Sequence, residues 1–292
     1  MRFKNNDNRI FLKKTLNIIF TIDQAYIQHF TVALISVCEN NPDLNLNIFV
    51  IHDLEDLTLI NEIQAFFKAK YNLLISLLSL ESSLFNNYTL THHVSKATYF
   101  RLMIAEIMPK NIKTALFLDS DLLVLGSLRT LVEFDLEENY LSAVEDLVDI
   151  ESLHRMNRLG IPAKRYFNAG VMYINLEKWQ SDKVSVGLIA TAKEYMERLL
   201  WWDQDVLNIF FYNKWKPLSP TFNEKHLTKR LKEKPVVVHF AGTSKPWLYL
   251  NNHPYKKEYW HYLRLSPFKD YRYKDFSLKN LIKRIVFFYK PQ

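Results

Sequence analysis

The stretch Thr114-Ala-Leu-Phe-Leu-Asp-Ser-Asp121 decides the architecture: an apolar, strand-forming run ends in two carboxylates two positions apart. In open parallel sheets the ligand crevice lies beyond the carboxyl ends of the strands, so Asp119 and Asp121 stand where chemistry collects. The segments ahead of this strand alternate. Residues 16–22 are β-branched and end at Asp23, and 26–40 repeat Ile27, Phe30, Leu34 and Val37 at helical spacing. Residues 47–51, 57–69 and 73–77 read as strand, helix and strand, and 96–108 as a helix stopped by Pro109. The alternation predicts an α/β chain with one mixed, mostly parallel sheet covered on both faces by helices.

After Asp121 the pattern becomes mixed. Residues 141–144 and 171–174 read as strands, 184–198 and 205–212 as helices, and 236–240 as a last short strand. From Tyr255 the chain is aromatic and basic, with Leu278, Leu281, Ile282, Ile285 and Tyr289 on one helical stripe and Lys279, Lys283 and Lys290 off it. The expected division is a basic segment 1–14, a catalytic domain 15–250 and a helical extension 251–292.

A chain of 292 residues with 48% hydrophobic and 14% aromatic side chains can bury a full core. Cys38 is the only cysteine, which excludes an internal disulfide and a cysteine zinc site and predicts a reducing, cytoplasmic setting. The polar amino terminus reads as no secretory leader, and no apolar run approaches the roughly 20 residues of a membrane helix. Membrane contact is therefore expected to be peripheral. The net charge of +7 would suit nucleic acid, anionic lipid or a phosphorylated substrate, and its thickening at 225–234 and 256–290 points to a surface, not a groove. The expectation for the tail is an anionic membrane surface, with no nucleic-acid partner.

The glycines narrow the ligand chemistry. Gly126, Gly160, Gly170, Gly187 and Gly242 are too far apart for a dinucleotide fingerprint or a phosphate-cradling loop. A nucleotide must be held by side chains and a metal. Two aspartates plus a histidine suit Mn²⁺ or Mg²⁺, and such an ion stabilises a departing phosphate. A bare Asp-x-Asp is weak, since Asp203 and Asp205 repeat the spacing and a solvated turn would look the same.

Asp119-Ser-Asp121 also fits the opening motif of haloacid dehalogenase-type phosphatases. Leu123 stands where those enzymes want Thr or Val, and several elements precede the strand that should come first. Residues 236–247 supply what the aspartates lack: His239 at a strand end, Gly242 for close backbone approach and Lys245 to neutralise a phosphate. Phe167-Asn-Ala-Gly170 and Trp202-Asp-Gln-Asp205 place aromatics beside amides and carboxylates, as a sugar would want. Their bland readings are a turn and a helix N-cap.

With Phe20-Thr-Ile-Asp23, Thr98-Tyr-Phe-Arg101-Leu, Phe117-Leu-Asp-Ser-Asp121, Phe167-Asn-Ala-Gly170, Asp203-Gln-Asp205 and His239-Phe-Ala-Gly-Thr-Ser-Lys245-Pro-Trp247 in this order, the chain resembles the family 8 glycosyltransferases. Ser266-Pro-Phe-Lys-Asp-Tyr271 and the basic tail resemble the extension of lipopolysaccharide core hexosyltransferases. The resemblance implies a GT-A fold, a UDP-hexose donor (galactose or glucose), Mn²⁺ or Mg²⁺, and transfer to a lipopolysaccharide core or other saccharide with the anomeric configuration retained.

Carried over by position, Asp119, Asp121 and His239 would bind metal, and Asp23 and Thr98 would line the uridine pocket. Lys245 and Gly242 would meet the diphosphate. Arg101, Asp146, Asn168 and Asp203 would surround the hexose, with Gln204 beneath the anomeric carbon. Thr21, Ser120, Ala169 and Gly170 complete the donor set, and Gln204, Asp203 and Lys245 are the candidate catalytic groups. Ala25 stands where family members often carry Asn, which predicts one hydrogen bond fewer to the nucleoside. Retention leaves a covalent and a front-face route open, and a non-catalytic saccharide-binding protein is the alternative of a different class.

Overall fold

Strand β1 (Thr15–Ile22) lies inside the sheet because it buries apolar residues on both faces, as a strand covered on both sides requires. A computed structural model describes residues 13–80, 100–146, 156–161, 165–225 and 233–288. In chain order, β1 is followed by α1 (Ile27–Asn40), β2 (Asn45–His52), α2 (Thr58–Tyr71), β3 (Ile75–Ser79) and a short α3 (Ile104–Ile107). Next come β4 (Thr114–Leu118), β5 (Leu122–Val124), α4 (Arg129–Val132), β6 (Leu141–Glu145) and β7 (Phe167–Asn175). The chain continues through α5 (Leu176–Ser181), α6 (Val184–Tyr195), α7 (Trp202–Phe210), β8 (Trp215–Pro217), β9 (Val237–His239), α8 (Lys256–Arg264) and α9 (Leu278–Phe288).

Seven strands form the main sheet in the order β3-β2-β1-β4-β7-β6-β8. The run β3-β2-β1-β4 is parallel, β7 is antiparallel to both β4 and β6, and β8 is parallel to β6. Side-chain alternation sorts each strand between two cores. Ile18, Phe20, Leu116 and Leu118 face α1, α2 and α8. Ile19, Ala115 and Phe117 face the other layer, where α5, α6 and α7 contribute Trp179, Leu188 and Leu207.

Several elements differ from the sequence reading, each for a local reason. The expected helix 96–108 is broken at Met103 in its described part, and Met108 turns extended (ψ 142°) as the residue before a proline prefers. Helix α7 begins at Trp202, earlier than its apolar spacing showed, so Asp203 and Gln204 sit in its first turn. Residues 167–170 are not a turn but the first part of β7. A second sheet also appears. Strand β5 pairs antiparallel with β9, Leu122 opposite His239, and three residues are too short for periodicity to reveal.

The carboxyl-terminal segment joins the core through α8. Tyr255, Tyr259, Tyr262 and Leu263 are buried in the same cluster as β1 and α1. The Tyr259 hydroxyl lies 2.7 Å from His29 Nδ1, and Asn40 Nδ2 donates to the Tyr262 hydroxyl at 2.8 Å. Helix α9 instead leaves Leu278, Ile282, Ile285 and Val286 exposed. Among the described residues, no helix is long and apolar enough to cross a membrane.

Trp179 tests the second core. It is fully buried, stacks on Phe211 with centroids 5.0 Å apart, and donates from Nε1 to the Tyr140 carbonyl at 2.9 Å. Trp179→Ala should cost about 3–5 kcal/mol, read as a lowered urea midpoint.

Candidate active site

Strands β1 and β4 run parallel with Phe20 beside Leu118, β1 continuing to Ile22, so Asp23 and Asp119 both emerge at the carboxyl end of the sheet. The Ser120 hydroxyl donates to the Thr21 carbonyl at 3.0 Å and ties the two strand ends together. Strand β7 closes the other side, where Asp119 N donates to the Gly170 carbonyl at 2.9 Å. The β5/β9 ribbon brings in the histidine, and Phe240 N donates to the Asp121 carbonyl at 2.9 Å.

One ligand atom each from Asp119, Asp121 and His239 lie within 4.8 Å of one another. His239 Nε2 is 3.3 Å from an Asp121 carboxylate oxygen and 3.6 Å from one of Asp119. A chain of amides fixes the imidazole. Asn223 Nδ2 donates to Asn168 Oδ1 at 2.8 Å, so Asn223 presents its oxygen to His239 Nδ1 at 3.1 Å. With Nδ1 donating to that oxygen, Nε2 faces the two carboxylates, where it can share a proton with them or give its lone pair to a metal ion. Two hard oxygens and one imidazole fit Mn²⁺, and less closely Mg²⁺.

Gly170 leaves the room for this cluster. A Cβ there would stand 2.3 Å from His239 Cε1 and 2.7 Å from Asp119 Oδ2. Both are held groups of the site, so neither can withdraw cheaply.

Two cations offset part of the charge of three carboxylates around the cluster. Lys245 Nζ lies 2.5 Å from Asp121 Oδ2 and 2.7 Å from the Phe240 carbonyl. Arg101 bridges Asp119 and Asp203, with its guanidinium 4.6 Å from the centre of the Phe117 ring. Burial alone would push the Asp121 carboxyl up, but His239 and Lys245 override it and hold the group well below the usual range. For Asp203 burial wins, and its carboxyl is pushed up despite Arg101. Burial, then Asp121 and Asp23, raises the Tyr26 phenol to about 12, which keeps its hydroxyl protonated beside the crevice.

Gln204 occupies the floor. Its side-chain oxygen accepts from Asn168 Nδ2 at 2.9 Å and Ala169 N at 3.1 Å, and its nitrogen donates to the Tyr166 hydroxyl at 3.2 Å. Tyr166 in turn donates to Asp205 at 2.5 Å. Asp205 does not project into the site, because its other oxygen accepts from Leu200 N and Trp201 N at 2.7 and 2.8 Å and holds the start of α7. Trp202 sits just before Asp203 with φ +37°, a left-handed conformation costly for an aromatic residue.

These groups surround a cavity of about 370 Å³. Asp23, Thr21, Ser120, Arg101, Asn168 and Gly170 line it, as do the three candidate ligands with Asp203, Gln204 and Gly242. Lys245 and Ala169 touch the site through Asp121 and Gln204. Asp146 is outside the lining and is paired with Lys225. Thr98 lies outside the described residues. Ala25 is exposed and borders a neighbouring hollow with His29 and Trp247. Asn223, Tyr166 and Tyr26 escaped the sequence reading. Phe222-Asn223 repeats the aromatic-amide pairing of Phe167-Asn168, which was a usable signal. The phosphatase reading loses its footing, since Asp119 follows the fourth strand of the chain.

Comparison with known proteins agrees with this geometry. The sequence model of glycosyl transferase family 8 matches residues 17–251. General stress protein A of Bacillus subtilis (strain 168) is 28% identical over 277 residues, covering 85% of this chain and 93% of that protein. Lipopolysaccharide 1,3-galactosyltransferase of Salmonella typhimurium is 31% identical over 248 residues, covering 79% and 72%. The solved galactosyltransferase LgtC, in complex with donor and acceptor sugar analogues, aligns with a TM-score of 0.77. At 24% identity over 86% of this chain and 96% of that one, the likeness establishes the fold.

Two substitutions probe the cluster without touching a ligand. Asn223→Ala frees the imidazole to change tautomer and should weaken Mn²⁺ binding about 10–100-fold by calorimetry. Gly170→Ala should do the same by displacing His239, with far-UV circular dichroism unchanged. Unaltered Mn²⁺ affinity in both variants would remove the metal site.

Proposed function

The chain belongs to glycosyl transferase family 8, has its GT-A fold, and on that premise we propose that it moves galactose or glucose from a UDP-sugar to a saccharide acceptor with retained configuration. The convergence of Asp119, Asp121 and His239 within 4.8 Å carries the reading. A lipopolysaccharide core is the acceptor favoured here, in line with the names of two curated relatives.

When bound by these three residues, a divalent ion would supply Lewis-acid stabilisation to the departing diphosphate. Asp23 and the protonated Tyr26 would hold the nucleoside at the end of β1. The Lys245 ammonium is close enough to share the negative charge of the diphosphate, a preorganised interaction that strengthens as that charge develops. Gln204 is a poor nucleophile, and its oxygen is held by two donors, so it would act as a fixed dipole beneath the anomeric carbon. Asp203 already shares its charge with Arg101, which disfavours a covalent glycosyl intermediate. Front-face attack follows as the preferred route: the acceptor oxygen bonds to the anomeric carbon, the bond to the diphosphate breaks, and the acceptor proton passes to the departing phosphate.

The exposed apolar side of α9, where Leu278 is 72% exposed, together with Phe276 just ahead of the helix at 56%, supports placing the protein peripherally on an anionic, cytoplasmic-facing membrane surface. The extension 251–292 would then be the membrane-proximal part of the chain, after the basic segment 1–14 and the catalytic domain 15–250.

Asp121→Ala should reduce Mn²⁺-dependent UDP release from UDP-galactose and UDP-glucose to below about 1% of wild type, and chelation should do so reversibly. A wild-type rate in that variant would refute the assignment. Ile282→Asp with Ile285→Asp should lower sedimentation with phosphatidylglycerol vesicles while leaving donor hydrolysis intact.

A further inference from the structure

Outside the crevice, the carboxyl-terminal extension encloses a larger cleft of about 1000 Å³ between the start of α8, residues 271–273 and α9. Along the sequence its cations read as diffuse surface charge. The fold instead gathers Lys256, Lys257, Arg264, Arg272 and Arg284 around one concavity, and no acidic side chain is among its lining residues. Trp260 and Tyr273 add aromatic walls, their ring centroids 4.6 Å apart.

Several of these groups are fixed in place. Lys256 Nζ donates to the carbonyls of Leu248, Tyr249 and Asn251 at 2.7, 3.2 and 2.9 Å. Arg284 donates to the Tyr249 carbonyl at 2.9 Å, and Trp260 Nε1 to the Pro246 carbonyl at 3.0 Å. Asp275, the acid that acts on Lys256, is committed through both oxygens to Tyr249 N, and the acids that act on His253 are Glu224 and Glu258, neither of which lines the cleft. Burial, followed by the charge of Arg284, lowers the Lys256 ammonium to about 8, as expected where positive charge is crowded.

His253 supplies an independent sign of a ligand. It is 4% exposed, and its Nδ1 accepts from Tyr255 N at 3.2 Å, so its hydrogen is on Nε2. That buried Nε2 has no hydrogen-bond partner among the described residues, although it belongs to a residue lining the cleft. A buried donor without an acceptor is costly, and an oxyanion would satisfy it.

We propose that this cleft is a second anion site, separate from the nucleotide crevice, that binds a phosphate-bearing saccharide. Phosphate meets Lys257, Arg264, Arg272, Arg284 and His253, while Lys256, its three N–H groups spent on carbonyls, fixes the wall; the sugar ring covers the Trp260 and Tyr273 faces that a bare phosphate would leave unused. The inference rests on the transfer reading only in taking that saccharide to be part of the acceptor.

Calorimetric titration of the full chain in EDTA, with glucose 6-phosphate, inorganic phosphate and glucose as probes, tests it. Glucose 6-phosphate should bind at least tenfold more tightly than either other probe. Arg264→Gln with Arg272→Gln, both exposed positions, should lose at least tenfold of that affinity while Mn²⁺-dependent UDP-sugar hydrolysis keeps its wild-type rate. Equal binding by wild type and variant overturns the proposal, as does inorganic phosphate matching the sugar phosphate or a parallel loss of hydrolysis.

If the variant instead loses sedimentation with phosphatidylglycerol vesicles yet keeps glucose 6-phosphate binding, the cleft reads a lipid headgroup and the proposal fails. The titration contains neither divalent ion nor UDP-sugar, so its failure leaves the transfer reading untouched. Absent hydrolysis with intact glucose 6-phosphate binding would sink the transfer reading alone.

Discussion

Leu122 pairs with His239 across a ribbon only three residues long, and the candidate site depends on that pairing. Strand β4 delivers Asp119 and Asp121 to the edge of the sheet wherever the rest of the chain goes. The imidazole comes from a distant segment and reaches them only because β9 lies antiparallel to β5. Phe240 N then bonds to the Asp121 carbonyl, so backbone, not side-chain chance, sets the spacing of histidine and aspartate. Gly170 on β7 is the complementary condition, since any Cβ there would occupy the volume the ring needs.

Charge is the second constraint. Asp119, Asp121 and Asp203 are drawn into a partly enclosed crevice, where unpaired carboxylates would be costly. Arg101 and Lys245 offset that cost while leaving an excess of negative charge that a divalent ion would reverse, giving a pocket suited to a diphosphate. The amide chain from Gln204 through Asn168 and Asn223 to His239 joins the sugar end of the pocket to the metal end. Orientation at one end is thus set by the same hydrogen bonds that set the tautomer at the other.

The extension after residue 250 has two characters. Helix α8 is part of the core through Tyr259 and Leu263, whereas α9 turns apolar side chains outward. Between them the aromatic and basic residues form a walled concavity. A run of aromatics and lysines has the same composition whether it coats a surface or lines a cleft, and only the path of the chain through 271–273 separates the two.

The sequence by itself determined the α/β class, the βαβα order, the strand that ends in Asp119 and the family, because apolar periodicity and local motifs are properties of neighbouring residues. It also marked His239, Gly242 and Lys245 as a coherent group, and Asn168 and Gln204 as polar residues beside aromatics. It did not reveal β5, the early start of α7 or the role of Asn223. A three-residue strand has no period, a helix start held by Asp205 reaching back to Leu200 and Trp201 follows a reverse capping pattern, and an amide's partner is set in space. Tertiary structure alone decided which charges neutralise one another. Arg101 and Asp203 are far apart in the chain, and only the folded sheet brings them to the same carboxylate edge.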